Sequence, residues 1–164
     1  MLKKSWQGKQ LKIAGVIAFG LLATACSQTR PELAASANGS VAAGTSQDFV
    51  VNVGDRIYFL NDQTALSGEA RMVLDKQAMW LNNYGAYTVT IEGHADERGT
   101  RQYNIALGAR RAAATKDYLV SRGVSPSRIK TISYGKERPV AVCNAESCWS
   151  QNRRAVTVLN GAGS

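Results

Sequence analysis

One short stretch of the chain carries a carboxylate, an amide and a guanidinium at spacings that could bind a charged ligand. Asp96 stands where an apolar segment gives way to a Gly-punctuated polar loop, and Asn104 and Arg111 follow seven residues apart. Seven residues are about two turns of an α-helix, so Asn104 and Arg111 share one helix face with Gly108 between them. A carboxylate and a guanidinium across such a gap can bind the ammonium and the carboxylate of one zwitterion. The pattern indicates recognition rather than catalysis.

Two other interpretations of these residues remain open from the sequence. Asp96 and Arg111 could form an ion pair inside the fold, and their spacing alone does not decide between that pair and a bound ligand. An enzymatic site is disfavoured, because a zinc hydrolase needs several His or Cys ligands and His94 is the one histidine in the chain. No second motif supports a two-carboxylate glycosidase. We therefore predict no catalytic residue, no metal site and no enzyme activity.

Apolar patterns predict the elements that position these residues. Runs of β-branched and aromatic residues predict strands, and apolar residues at helical spacing predict helices. The strands are predicted at residues 56–59, 87–91, 128–134 and 155–159, and the helices at residues 68–83 and 101–122. This β-α-β-α-β-β order predicts one α/β (α+β) sandwich over residues 48–160, with helices packed on a mixed sheet of about four strands. Met79, Trp80 and Ala109 are expected to face the core.

The first residues of the chain predict export and lipidation. Four lysines precede an apolar run from Ile13 to Ala25, which is shorter than the roughly 20 residues that span a bilayer and is typical of a signal peptide. The run ends in small residues followed by Cys26, which resembles a bacterial lipobox. We predict a lipoprotein-type signal peptide at residues 1–25 and a lipid on Cys26; the alternative is an ordinary signal peptide with a chance Cys. The Ala-, Ser- and Gly-rich residues 26–47 predict a flexible tether.

The positive charge of the chain belongs partly to the signal peptide. The full sequence has 20 basic and 12 acidic residues, and residues 1–25 contain four lysines and no acid, so removing them lowers the net charge from +8 to +4. The remaining basic residues are scattered rather than clustered on one segment. This distribution does not predict nucleic-acid binding.

Cys143 and Cys148 are the remaining thiols. In an exported protein this pair permits a disulfide, and the alternatives are a redox couple or two metal ligands. Four intervening residues are too many for Cys-x-x-Cys chemistry. A structural disulfide is therefore the favoured interpretation, with modest stabilisation because the loop is short.

Five sequence blocks, together with the lipobox, resemble the lipoprotein branch of the OmpA-like family of peptidoglycan-binding domains. The resemblance covers residues from about 54 to 159. The blocks are residues 93–100, 103–108, 110–112, 133–137 and 152–156. The chain departs from the family pattern at Ala95, where Thr is usual, at Leu60, where Asp is common, and in the Cys143/Cys148 pair. Loss of the Thr hydroxyl removes one polar contact but leaves the neighbouring carboxylate.

The resemblance implies a non-covalent site for the diaminopimelate residue of the peptidoglycan stem peptide. Asp96 would bind the ligand's ammonium and Arg111 its carboxylate, while Asn104 and the Leu107 backbone would line the gap between them. Asp62, in the turn after the first strand, would add a second acidic contact. Ala95 and Arg153 are further candidates. Diaminopimelate carries an amino-acid zwitterion on its side chain, which Asp and Arg complement in charge and geometry.

The resemblance also implies a place in the cell envelope. Peptidoglycan and TolB would be the partners, with the other Tol proteins linked through TolB, and the protein would support envelope integrity and outer-membrane constriction at division. Ser27 after Cys26 favours lipid anchoring in the outer membrane, with the domain facing the periplasm. No cofactor is implied beyond the lipid on Cys26. The alternative is a partner-binding envelope module without affinity for the wall.

Other polar residues near these blocks are expected to have structural or surface roles. His94 is expected to be hydrogen-bonded beneath the loop. Glu97 and Arg98 are expected to be a solvated loop tip. Of Arg153 and Arg154, which open the last strand, one is expected to support the site and the other to lie on the surface.

Overall fold

A computed structural model describes residues 41–161 of the chain. The predicted signal peptide, Cys26 and most of the predicted tether lie outside these residues. Contacts with the domain begin shortly before the predicted boundary at residue 48. The Gly44 N–H donates to Asp48 Oδ2 at 2.9 Å, and the Gly44 carbonyl accepts from Tyr87 Oη at 2.9 Å. Residues 44–47 therefore pack with the domain.

The six predicted strands and helices are all present, with ends that differ by a few residues. The chain begins with α1 (Ser46–Asp48) and a π-helical turn (Phe49–Val53), and a 3₁₀ turn (Pro126–Arg128) precedes β3. The main elements are β1 (Arg56–Tyr58), α2 (Gly68–Asn83), β2 (Thr88–His94), α3 (Arg101–Ser121), β3 (Ile129–Gly135), α4 (Glu146–Asn152) and β4 (Arg154–Asn160). The short helix α4 has no counterpart in the prediction. Its N-cap residue, Ala145, has no side-chain acceptor, so the sequence carries no capping signal there.

The four strands form one mixed sheet in the order β1-β4-β2-β3. β2 and β3 are parallel, whereas β4 is antiparallel to both of its neighbours. The end of β1 lies beside the start of β4, where Tyr58 is paired with Arg154, and the end of β2 lies on the other side, where Gly93 is paired with Ala155. The loop after β1, the loop after β2 and the residues just before β4 therefore lie together at one end of the sheet.

The core lies between the sheet and the two long helices. Its most deeply buried members include Phe49, Leu74, Leu81, Ile91 and Leu119. Trp80 is buried as predicted, but the prediction for Met79 and Ala109 was wrong, because both lie on the solvent side of their helices. Among residues 41–161, no helix is long and apolar enough to cross a bilayer.

Gln77 is a polar residue that the apolar pattern of α2 did not place in the core. Its side chain donates to the Gly54 carbonyl at 2.7 Å and accepts from Thr157 Oγ1 at 2.8 Å. The core therefore includes a satisfied polar link between α2, β4 and the segment before β1.

Two glycines let α3 lie directly on β2. A Cβ at Gly93 would collide with the Gly108 carbonyl, and a Cβ at Gly108 would lie 2.8 Å from the Gly93 oxygen and collide with Ser133 Oγ. Ser133 Oγ in turn donates to the Ile105 carbonyl at 2.7 Å. This close approach places the face of α3 that carries Asn104, Gly108 and Arg111 against the end of β2.

Replacing Gly108 with Ala tests this close approach. The added methyl has no room, so we expect Gly108→Ala to lower the free energy of unfolding by about 2–3 kcal/mol, as overpacked cores do. Gly68→Ala, at the exposed start of α2 with no atom within 4 Å of its Cβ, is the matched control. The control is expected to be neutral or to stabilise by up to about 1 kcal/mol. Equal losses in the free energy of unfolding of the two variants, measured by urea unfolding, would contradict the close packing of α3 on β2 at Gly108.

Candidate functional site

Asp96 lies two residues beyond β2 with its carboxylate held between two arginines. Its Oδ2 accepts from Arg98 Nη2 at 2.6 Å and from Arg153 Nη1 at 3.3 Å. Its Oδ1 accepts from Arg98 Nε at 3.3 Å and from the Arg98 N–H at 3.2 Å. Burial acts to raise the pKa of Asp96, but the hydrogen bonds from Arg98 and Arg153 outweigh burial and hold that pKa below its usual range. Asp96 is therefore a carboxylate at neutral pH.

Arg98 links three parts of the site, so the prediction of a solvated loop tip was wrong. Besides its contacts with Asp96, its Nη2 donates to Asn61 Oδ1 at 2.7 Å. Its guanidinium carbon lies 4.2 Å from the ring centroid of Trp149, and Trp149 Nε1 donates to Glu97 Oε1 at 3.0 Å. Helix α4, which the sequence did not predict, supplies Trp149 and explains why the loop tip is engaged.

Arg111 is fully buried and bound to backbone carbonyls. Its Nε donates to Gln63 O at 3.0 Å, its Nη1 to His94 O at 2.8 Å and its Nη2 to Leu60 O at 3.2 Å. Burial, followed by the nearby charge of Arg153, lowers the pKa of Arg111 to about 10, so it stays a cation at neutral pH. The internal pairs of Asp96 are Arg98 and Arg153 rather than Arg111.

A cavity of about 250 Å³ lies in front of Asp96. Four residues singled out from the sequence line it together, namely Asp62, Asp96, Asn104 and Leu107. The other lining residues are Asn61, Arg98, Gly99 and Tyr103. Arg111, Ala95 and Arg153 are not part of this lining, although Arg153 contacts Asp96 from the side. The cavity thus presents two carboxylates and one guanidinium.

The loop after β1 supplies the outer wall of this cavity. Asp62 adopts a left-handed backbone conformation with φ of 54°, which Asp tolerates better than most residues. Tyr103 Oη donates a hydrogen bond to Asp62 Oδ1. Asn104 Nδ2 donates to the Arg98 carbonyl at 2.8 Å, which joins α3 to the opposite loop. These bonds fix the two walls relative to each other.

Arg153 and Arg154 are both buried. Arg153 Nε donates to Phe59 O at 3.0 Å, and its other nitrogens contact Asp96 and form an ion pair with Glu146 of α4. Arg154 Nη2 donates to the Arg138 carbonyl at 3.2 Å. Arg153 supports the site as expected, but the surface position expected for its neighbour was wrong because β1 and β2 flank the start of β4.

His94 is buried beneath the loop, as predicted, but the prediction that its ring is hydrogen-bonded was wrong. Neither ring nitrogen has a hydrogen-bond partner among the described residues, and Nε2 lies 3.6 Å from Glu92 Oε2. Burial, followed by the charge of Arg154, lowers the pKa of His94 to about 4. The imidazole is therefore neutral at neutral pH. His94 contributes to the site through its backbone carbonyl, which accepts a hydrogen bond from Arg111 Nη1.

A disulfide joins Cys143 and Cys148 at the start of α4. Within residues 41–161, no cluster of three or more His, Cys, Asp or Glu side chains could hold a metal ion.

A second, larger groove of about 730 Å³ lies beside β1 and α4. It shares Arg153 with the surroundings of Asp96 but contains neither Asp96 nor Asn104. Tyr58, Leu60 and Leu66 are among its apolar lining residues, and Glu69 and Glu146 are acidic. The groove therefore also carries two carboxylates and one guanidinium, but Arg153 is only 4% exposed and its nitrogens already contact Phe59 O, Asp96 and Glu146. The smaller cavity, in which the Arg98 side chain is 39% exposed, is the better candidate for a charged ligand.

Several residues at the site were not predicted from the sequence, and only some of them could have been. Tyr103 and Asn61 adjoin predicted residues, so their proximity could have been inferred. Trp149 and Glu146 could not, because they depend on α4 and on a turn that brings it back over the loop after β2.

Comparison with known proteins places this chain in a family. Residues 58–154 match the OmpA family. A peptidoglycan-associated lipoprotein of Rhizobium meliloti (strain 1021) is 61% identical over 155 residues, covering 93% of this chain and 88% of that protein. The chain belongs to the peptidoglycan-associated lipoproteins of the OmpA family. A peptidoglycan-associated lipoprotein of Brucella melitensis is 66% identical over 125 residues, or 76% of this chain and 74% of that one.

Solved structures agree with the family assignment. The crystal structure of the peptidoglycan-associated lipoprotein from Burkholderia pseudomallei has a TM-score of 0.63 at 37% identity and covers 65% of this chain and 90% of that one. The C-terminal domain of MotB from Helicobacter pylori has a TM-score of 0.62 at 20% identity, covering 66% and 86%, and shows the fold alone. The mixed four-stranded sheet is therefore the OmpA-like fold.

Replacing Arg111 tests whether its buried guanidinium holds the site together. Arg111→Ala leaves three backbone carbonyls without this donor, so we expect the free energy of unfolding to fall by about 3 kcal/mol. Arg111→Lys is expected to recover little, because one ammonium cannot reach all three carbonyls. Urea unfolding measures the change. The exposed neighbour variant Arg110→Ala is the control and should stay within about 0.5 kcal/mol of the wild type; a similar loss in both would contradict this role.

Proposed function

We propose that the cavity in front of Asp96 binds the zwitterionic end of diaminopimelate in peptidoglycan stem peptides. The observation that carries the proposal is the meeting of Asp62, Asp96 and Arg98 in one cavity of about 250 Å³. A ligand end that bears an ammonium beside a carboxylate matches this set of charges. The names of the relatives, peptidoglycan-associated lipoproteins, support peptidoglycan as the polymer that carries this ligand.

Asp96 and Asp62 are proposed to bind the ligand's ammonium. Asp96 Oδ1 has contacts only of 3.2 and 3.3 Å, whereas Oδ2 is held by Arg98 at 2.6 Å. Oδ1 is therefore the inner acceptor offered to a ligand. Asp62 is exposed at the cavity's outer wall and offers the second carboxylate.

Arg98 is proposed to bind the ligand's carboxylate, with the buried charge of Arg111 nearby. Arg98 lines the cavity with 39% of its side chain exposed, and its Nη1 makes no hydrogen bond with the described residues. Arg111 adds positive charge from behind the cavity. A direct contact of Arg111 with the ligand would require its guanidinium to give up a carbonyl, and the 3.2 Å bond to Leu60 is the longest of its three.

The remaining residues shape the cavity, and the strength of attachment follows from the number of contacts and of protein copies. Asn104 and Leu107 form the α3 side of the cavity, and Arg153 contacts Asp96 from the residue before β4. The Ala95 N–H donates to the Gly135 carbonyl at 2.8 Å, which holds the backbone next to Asp96. Each charge-assisted hydrogen bond contributes roughly 1.5–3 kcal/mol, so a few of them give moderate affinity. Many copies on a polymeric wall then raise the overall strength of attachment through effective concentration.

This binding is proposed to link the outer membrane to the wall. A lipid on Cys26 would anchor the chain, residues 26–43 would act as the tether, and the domain would face the periplasm. TolB and the other Tol proteins would be partners in envelope integrity and in constriction at division. The names of the relatives describe a lipoprotein rather than an enzyme, which supports a binding role without catalysis.

A partner-binding module without wall affinity is the second candidate function. The groove of about 730 Å³ beside β1 favours it, because the exposed Tyr58 and Leu60 give that groove an apolar rim. Such a surface is suited to a protein segment rather than to a small zwitterion.

Sedimentation of the full-length chain with purified peptidoglycan sacculi tests the two candidates. We expect the wild type to sediment and Asp96→Asn to weaken binding about tenfold, because losing one charge-assisted contact of a ligand ammonium removes about 1.4 kcal/mol or more. Asp62→Asn is expected to weaken it in the same direction but less, since Asp62 is exposed. Asp117→Asn, on the exposed side of α3, is the matched control and should bind as the wild type does.

The outcomes separate the candidates. Undiminished sedimentation of both Asp96→Asn and Asp62→Asn would reject the cavity as the wall site. A wild type that does not sediment would favour the partner-binding module instead.

A further inference from the structure

Trp149 is the side chain of α4 that touches the loop after β2. Its ring lies under the Arg98 guanidinium at 4.2 Å, and its Nε1 donates to Glu97 Oε1 at 3.0 Å. Trp149 therefore holds two consecutive residues of the loop that leads from Asp96 to α3. It does not line the cavity itself.

The segment that carries Trp149 is fastened at both ends. The Cys143–Cys148 disulfide closes the turn into α4, and Cys148 is the residue before Trp149. At the other end, Asn152 Oδ1 accepts from the Val140 N–H at 2.8 Å and its Nδ2 donates to Ala141 O at 2.7 Å. The segment is therefore clamped across residues 140–152.

Helix α4 needs such fastening. It has seven residues, and its N-cap residue Ala145 makes no side-chain capping bond. A helix this short without a cap is marginal on its own, so its position depends on tertiary links. The disulfide supplies one such tertiary link in the first turn of α4, at Cys148, next to Trp149, which contacts Arg98.

We propose that Trp149, held by the Cys143–Cys148 disulfide, is a positioning residue for the stem-peptide cavity and acts through Arg98. The proposal rests on the function proposed above. An arginine side chain has many rotamers, and fixing it before the ligand arrives lowers the entropy that binding costs. The indole ring fixes the guanidinium across Asp96 and Asn61, and this leaves Nη1 for the ligand's carboxylate.

The contacts separate this role from a purely structural one. Trp149 is only partly buried, and it is not among the buried core residues of the domain. Its loss should therefore change the position of Arg98 more than the stability of the fold. The ring, rather than the N–H, makes the contact with Arg98, so a phenylalanine should replace it in this respect.

Binding of a soluble diaminopimelate-containing stem tripeptide to the full-length chain, measured by calorimetry, tests the proposal. We expect Trp149→Ala to weaken binding about two- to fivefold, the size of one exposed cation–π contact. Trp149→Phe should stay within about twofold of the wild type because the ring remains. Cys143→Ser/Cys148→Ser, which leaves Trp149 in place, should weaken binding in the same direction as Trp149→Ala.

A double-mutant cycle with Arg98→Ala provides the readout that a structural role would not produce. If Trp149 acts through Arg98, adding Trp149→Ala to Arg98→Ala should cause no further loss of affinity. The Cys143→Ser/Cys148→Ser change should likewise add nothing in the Arg98→Ala background.

Three results would overturn the proposal. The first is wild-type affinity in Trp149→Ala. The second is the same fold-loss from Trp149→Ala with and without Arg98, which would assign it a merely structural role. The third is wild-type affinity in the cysteine variant, which would remove the disulfide from the account. A wild type that fails to bind the tripeptide would instead overturn the function proposed above and this proposal with it.

Discussion

The site depends on a buried cation that has no carboxylate partner among residues 41–161. Arg111 has no exposed surface, and its guanidinium is satisfied by the carbonyls of Leu60, Gln63 and His94. Burying a charge is costly unless its donors are matched, so the loop after β1 and the end of β2 must stay where those carbonyls reach it. Arg111 therefore holds the loop after β1 and the end of β2 in place without occupying the cavity that Asp96 lines.

The sheet order explains why the opposite charges meet in front of that cation. β4 lies between β1 and β2, so Arg153, the residue before β4, contacts Asp96. The close approach of Gly93 and Gly108 packs α3 against the same end of the sheet. Asp96 stays ionised because two arginines outweigh its burial. The result is a preorganised set of charges in which Asp96 is paired with Arg98 and Arg153, while Arg98 Nη1 makes no hydrogen bond with the described residues.

Much of the fold was predictable because its patterns are local. Alternation in β2 and the helical spacing of Asn104, Gly108 and Arg111 depend only on nearby residues. The resemblance to the OmpA-like family also brought Asp62, Asp96, Asn104 and Leu107 into one set, and the structure places all four around one cavity. The engagement of Arg98 was not predictable in this way. It depends on α4, an uncapped seven-residue helix whose position is set by a disulfide and by Asn152.

The central claim is that the cavity lined by Asp96 and Arg98 receives the zwitterionic end of a diaminopimelate stem peptide. A crystal structure of this chain with such a peptide bound tests it most directly. The account predicts the ligand's ammonium about 3 Å from Asp96 Oδ1 and its carboxylate at a similar distance from Arg98 Nη1. A peptide bound instead along Tyr58 and Leu66, with its charges away from Asp96 and Arg98, would contradict the account.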